Sequence, residues 1–425
     1  MSKLQWLARQ LRKMLWLRVS LFAIAGIVAA GLASLTSRFL PGRLPFDISA
    51  DAIDSLLSII ASSMLAVTTF SVGALTSAYS SATSNGTARA TQLLTQDRVV
   101  QNALATFVGS FLFSIVGLIA LKVSAYGPEG RAVLFLVSIV VVLLIVLALL
   151  RWINQLTRLG RVSDTTERIE CETRDSMDAR LRLPFLGGAR LPEEWPDPSS
   201  PGTPVLATEV GYLAFIETAR LSQLAEEAGL FIDIPVLPGA FLYSGTVLAR
   251  VHAAEGGGPA RLSQAMADSL RAGFSTAALR SYDQDPRFGL VVLSEVALRA
   301  LSPAVNDPGT AIDVIGRQTR LLTHWAEAWE AASGAPPDYP RLRLPALRYS
   351  DLFEDAFALI GRDGAGQVDV LLRLAKALMA LGRIGPQPSR DAARAQLRVM
   401  LARAEQGLSC EDDRRRLAEA VAGFA

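Results

Sequence analysis

The chain is short of the residue types with which most soluble proteins do chemistry. Among its 425 residues are two cysteines, Cys171 and Cys410, which exclude a disulfide framework and a Cys-rich zinc site. Two histidines, His252 and His324, are too few for a His-based metal centre. Charge is also scarce: 19% of residues are Asp, Glu, Lys or Arg, against about 25% in ordinary soluble proteins. There is no GxxxxGK[ST] phosphate loop, HExxH, GxSxG or CxxC. The run Gly256-Gly257-Gly258 leads into Pro259 with no phosphate-anchoring lysine nearby, so it is expected to be a loop. Neither a cofactor nor an enzyme is expected.

Apolar residues are what the chain has in excess: 51% are hydrophobic, and the mean hydropathy is +0.32. Those values exclude a disordered chain and a wholly soluble globule. The surplus lies in the first 155 residues. Charge is divided unevenly along the chain. Residues 1–160 carry 13 basic and 5 acidic side chains, residues 161–425 carry 29 and 35, and +8 with −6 gives the formal +2. A nucleic-acid-binding half would be basic, so nucleic acid is not an expected partner.

About 20 apolar residues cross a bilayer as a helix. Four segments qualify, at about 17–36, 54–80, 103–121 and 132–150, and make residues 1–160 a transmembrane domain whose partner is the lipid bilayer. Lys3, Arg9, Arg12, Lys13 and Arg18 precede the first span, and Arg151, Arg158 and Arg161 follow the last. The positive-inside rule places both termini in the cytoplasm. No ionisable residue lies in the central part of any span, which argues against a proton relay or ion-coupled transporter.

The second span is rich in small hydroxyl residues. Ser55, Ser58, Ser62, Ala66, Thr69, Gly73, Thr76, Ser80 and Thr83 follow one another by threes and fours, so they share one helical face. Leu57, Ile60, Met64, Val67, Ser71 and Leu75 form the opposite face. A small-residue face suits close helix packing, and it also suits the uncharged wall of a water-filled path in an oligomer. Gly109, Ser110, Ser114 and Gly117 give the third span a packing face, whereas the fourth span, almost purely Leu, Val and Ile, is expected to face lipid.

Residues 161–204 are expected to form a helical stalk and then a Pro/Gly-rich linker, PFLGGARLPEEWPDPSSPGTP. A β-rich region follows over 205–285, with strands at 212–216, 231–237, 241–251 and about 276–280, a helix at 217–229 and a turn at Pro238-Gly239. From 286 to 425 the pattern is helical, and Asp307-Pro308 has the form of an N-cap followed by a first-turn proline. Later helices are expected near 350–361, 366–384, 389–406 and 410–422, the last with a weak capping box at Ser409 and Asp412. The fold class is therefore a membrane protein with four transmembrane helices and a cytoplasmic α+β domain whose C-terminal part is helical.

Two polar clusters are candidate sites. Asp283 and Asp285 offer hard oxygen ligands, but a helix-capping turn explains them better, and no metal site is assigned. Asn306 and Asp307 have the makings of a helix cap, with Arg299 and Asp313 placed to join them in an ionic network or an anion site.

These segments also carry a family resemblance. The Ser-rich second span, GYLAFIE, PGAFLYSG, DQDPRFGL and ALRALSPAVNDPGTAI resemble the bacterial predicted membrane proteins grouped as domain of unknown function 2254. The resemblance covers about residues 15–330 and implies a multi-pass inner-membrane location without implying an activity. The functional expectation is a homo-oligomeric pore that passes ions, with a cytoplasmic vestibule or gate. The alternative is a membrane-anchored sensor whose cytoplasmic half binds a ligand or protein.

Overall fold

The computed structural model describes residues 49–85, 87, 89–90, 97–123, 128–156, 161–192, 202–253 and 258–422, with isolated helical residues between 20 and 28. The expected span at 17–36 falls almost wholly outside the described residues. Two compact units emerge, one within residues 4–84 and 91–165, the other formed mainly by residues 85–90 and 166–425.

Among the described residues of the first unit, three helices are long and apolar enough to cross a membrane: α1 (Ala50–Asn85), α2 (Arg98–Lys122) and α3 (Pro128–Leu156). They correspond to the second, third and fourth expected spans. Ile53 and Leu57 of α1 pack with Phe113 of α2 and Leu134 of α3. Further along, Ile60, Met64 and Leu75 join Leu104, Phe107, Ile145 and Trp152. Gly117 lets α2 approach closely, since a Cβ there would lie 3.1 Å from the Leu57 side chain. Gly109, Ser110 and Ser114 are buried with it, as a packing face requires. Leu136, Val140, Leu143 and Leu147 of α3 are exposed, in keeping with a lipid-facing surface. Asp97 caps α2 by accepting from the amides of Val99 (2.7 Å) and Val100 (3.3 Å), and it also accepts from Gln155 Nε2 near the end of α3 (2.6 Å).

Most of α4 (Val162–Arg182) belongs to the second unit. This helix differs from the expected stalk in that Ile169, Thr173, Met177 and Arg180 are buried within the unit. The first part of the expected linker is also ordered structure, because β1 (Gly188–Arg190) pairs in parallel with β8 (Tyr339–Leu344). Residues 193–201 lie outside the described residues. The other strands are β2 (Thr203–Leu206), β3 (Gly211–Ile216), β4 (Leu230–Asp233), β5 (Phe241–Leu242), β6 (Val247–Ala253) and β7 (Phe274–Ala277). They form a mixed sheet in the order β1-β8-β4-β6-β2 and an antiparallel sheet in the order β5-β3-β7. Strand β8 lies inside the region expected to be helical, and it completes a sheet begun 150 residues earlier by pairing with both β1 and β4.

Helices α5 (Thr218–Glu227) and α6 (Gln264–Arg271) accompany the sheets. Then come α7 (Pro286–Leu301), α8 (Pro308–Ser333), α9 (Tyr349–Asp363), α10 (Val368–Leu381), α11 (Gln387–Gly407) and α12 (Glu411–Val421). Both expected Asp-Pro caps form: Asp285 accepts from Phe288 N and Asp307 from Thr310 N. The expected cap at Ser409 does not, since Cys410 occupies the N-cap of α12 and makes no side-chain bond there.

Candidate functional site

The two faces of α1 have opposite fates within the subunit. Leu57, Ile60, Met64 and Leu75 are buried against α2 and α3, and Ser71 on the same face is buried too. Ser55, Ser58, Ser62, Ala66, Thr69, Gly73, Thr76 and Ser80 are all exposed; the Thr83 side chain lies outside the described ones. Bulky residues flank the stripe on the helical wheel, Leu65 and Val72 along one edge, Ile59 and Phe70 along the other, and these too are exposed. The hydroxyls return their protons to the helix. Ser62 Oγ donates to Ser58 O (2.9 Å), Thr69 Oγ1 to Leu65 O (3.0 Å) and Thr76 Oγ1 to Val72 O (2.8 Å). Their donors are thus satisfied in a dry environment, while oxygen lone pairs remain on the surface of the stripe. Asp51, four residues before Ser55, stands on the same face at the helix start and is exposed. It is the one charged residue of this face, and its signal was the same spacing carried one step further back.

The two polar clusters each supply a helix N-cap. Asp285 is 2% exposed. One of its carboxylate oxygens caps α7 and the other accepts from Arg280 Nε at 2.8 Å. Burial pushes its carboxyl above the usual range, against the pull of Arg280. The turn at Pro238-Gly239 lies directly over it. Gly239 has φ +97°, and a Cβ there would sit 2.6 Å from Asp285 Cγ, so no other residue fits. Gln284 Oε1 accepts from Ile216 N (2.9 Å) and its Nε2 donates to Ile216 O (3.2 Å), tying this loop to β3. Arg287 binds Asp351 (2.8 Å) and Asp355 (2.6 Å) of α9. The Ser281 hydroxyl donates to Asp283 Oδ2 at 3.4 Å. The DQDPRFGL segment is thus the joint between β3, α4, α7 and α9. Among the described residues no three His, Cys, Asp or Glu side chains are grouped to hold a metal ion.

The second cluster opens on the cap of α8. Asn306 adopts φ +50°, and Asp307 binds Thr310 through both oxygens. Asp313 binds Arg317, which also binds Glu170 of α4, and the Arg299 carbonyl accepts from the Ser302 hydroxyl. The 16 residues of α7 hold the two candidate clusters about 24 Å apart, so they form no common site.

Sequence reasoning missed two buried groups. Asp233, 1% exposed, is held by Arg343 through both oxygens (2.6 and 2.8 Å) and by His252 Nε2 (3.0 Å), across the adjacent strands β8, β4 and β6. Arg180 is 3% exposed, and burial lowers its pKa to about 10, with Asp285 opposing the shift. Its Nη2 donates to Gln284 O (2.8 Å), while Nε and Nη1 have no protein acceptor. Nothing in the sequence pointed to these groups, because their partners lie 19 to 110 positions away.

The family described as predicted membrane protein (DUF2254) matches residues 12–380. The chain belongs to the DUF2254 family. The match reaches some fifty residues beyond the stretch of about 15–330 that carries the resemblance, taking in α9 and most of α10. Two relatives, an uncharacterised protein of Mycobacterium bovis and one of Mycobacterium tuberculosis H37Rv, are each 27% identical to this DUF2254 chain over 333 residues. Each alignment covers 74% of this chain and 61% of the relative, so the chain spans less than two thirds of the proteins it matches. No solved structure matches it.

Proposed function

We propose that copies of this DUF2254 protein assemble in the bacterial inner membrane around an axis lined by the exposed stripe of α1, forming a pore for ions. The soluble unit would lie in the cytoplasm as a vestibule or gate, the orientation favoured by Arg151, Arg158 and Arg161 after the last span. One observation carries this reading: the small-polar face is left exposed by a subunit that buries the opposite face of the same helix. An uncharged wall of hydroxyl oxygens suits ions that keep part of their water. A ring of Asp51 carboxylates at the mouth would favour cations over anions. On this reading the protein is not an enzyme.

Ion flux into vesicles reconstituted with the full chain tests the proposal. Ser62→Leu, Thr69→Leu and Thr76→Leu should each lower flux at least severalfold while the oligomer persists, and Asp51→Asn should weaken cation preference. Flux that is absent, or indifferent to all three leucines, overturns it.

A sensor reading has one observation of its own, the two Arg180 nitrogens that lack a protein acceptor, which a small anion would satisfy. Stabilisation of the full chain by phosphate or sulfate but not by chloride, lost in Arg180→Met, would favour that reading. Equal melting in all three salts counts against it.

A further inference from the structure

The three-stranded sheet leaves one face open at one end, beyond the buried Ala214 and Ile216 of β3. Tyr212 of β3 is in register with Phe241 of β5 on one side and Ala277 of β7 on the other, so the three side chains stand in a row on one face. Val210, Tyr243 and Leu279 follow at the same end of these strands. The aromatic rings form a chain, Tyr212 to Phe241 at 5.0 Å and Phe241 to Tyr243 at 5.2 Å between centroids, both edge-on. Strand alternation sends Leu213, Phe215 and Leu242 into the core. The outer residues stay in water: Val210 is 63% exposed, Tyr243 66%, Leu279 56% and Phe241 43%. An apolar patch rich in Tyr and Phe and free of charge at its centre has the composition of an interface core.

Its size indicates what kind of partner it meets. A stand-alone interface needs about 800 Å² per partner. Aromatic side chains bury about 150–250 Å² each when fully enclosed, and these are already partly covered, so the patch supplies roughly half of that. A surface this small holds only a partner that something else keeps nearby. Another copy anchored in the same membrane assembly meets that condition, because tethering raises the effective concentration to about the millimolar range. We propose that this sheet face is where the soluble units of neighbouring copies touch, an inference that rests on the oligomer proposed above.

The test uses the full chain in native membranes with Tyr243 replaced by the photo-crosslinker p-benzoylphenylalanine. Illumination should give a covalent homodimer, whereas the same crosslinker at Glu411, exposed on α12, should not. Leu279→Asp should cut the yield from Tyr243 severalfold while subunit counting by fluorophore bleaching still shows the oligomer. An oligomer that gives no homodimer at Tyr243, gives as much at Glu411, or gives adducts only to lipid or another protein overturns the contact and leaves the pore reading standing. A monomeric bleaching count overturns both.

Discussion

Gly289 lies where α7 packs against α4, and a Cβ there would come within 2.7 Å of Thr173 Cβ and 2.8 Å of its Cγ2. Two helices meet at that point with no room for a methyl group. Gly289→Ala should therefore lower stability by about 1–3 kcal/mol despite the better helix propensity of alanine. Thr173→Ala in the same chain should restore part of the loss, as thermal unfolding of the detergent-solubilised protein will show. Asp307 acts through charge. The Thr310 hydroxyl and amide hold its carboxyl below the ordinary value of 3.8. A depressed folded-state pKa means that the stabilisation is present above that ordinary value and is lost as pH falls through the folded one. Asp307→Ala should cost about 1 kcal/mol at neutral pH, and the gap to the unmodified protein should close in strong acid. Melting of both proteins across an acid pH series checks this.

At the scale of elements, α4 joins the soluble unit through ion pairs on one side and close packing on the other. Glu170 binds Arg317 and Arg320 of α8, each at 2.8 Å, and Asp178 binds His324 at 2.5 Å. The acidic residues are eight apart, and the partners of the first lie seven and four residues before the partner of the second, so the contacts advance together and α4 and α8 run side by side in the same direction. Glu170→Ala leaves two arginines without that partner and should weaken the clamp by about 1 kcal/mol, raising hydrogen exchange in residues 162–182 about fivefold. High salt should shrink the difference. The helix itself was legible from its polar-apolar spacing. Its burial was not, because the residues that cover it come from α7 and α8. Strands β1 and β8 escaped notice for a related reason. Three and six residues long, they gain their hydrogen bonds from each other and from β4, far away in sequence.

For the whole molecule, the soluble unit has its own core, including Phe215, Trp325, Phe353 and Phe357, and it encloses α4. Residues 162–422 expressed alone should be soluble and melt cooperatively, whereas residues 184–422, which lack α4, should bind hydrophobic dye and unfold without a sharp transition. Circular dichroism and dye fluorescence on the two fragments separate these outcomes. The sequence by itself determined that the chain has membrane-spanning and soluble parts, where three apolar helices run, which face of α1 is small and polar, and where the Asp-Pro caps fall. These are local properties, governed by hydropathy over about 20 residues, by helical periodicity and by short-range hydrogen bonds. Only the tertiary structure decided that the small-polar face stays exposed, that the DQDPRFGL segment joins several elements, and that Asp233, His252 and Arg343 meet. Those outcomes depend on which distant segments come to lie side by side, and no spacing along the chain encodes that.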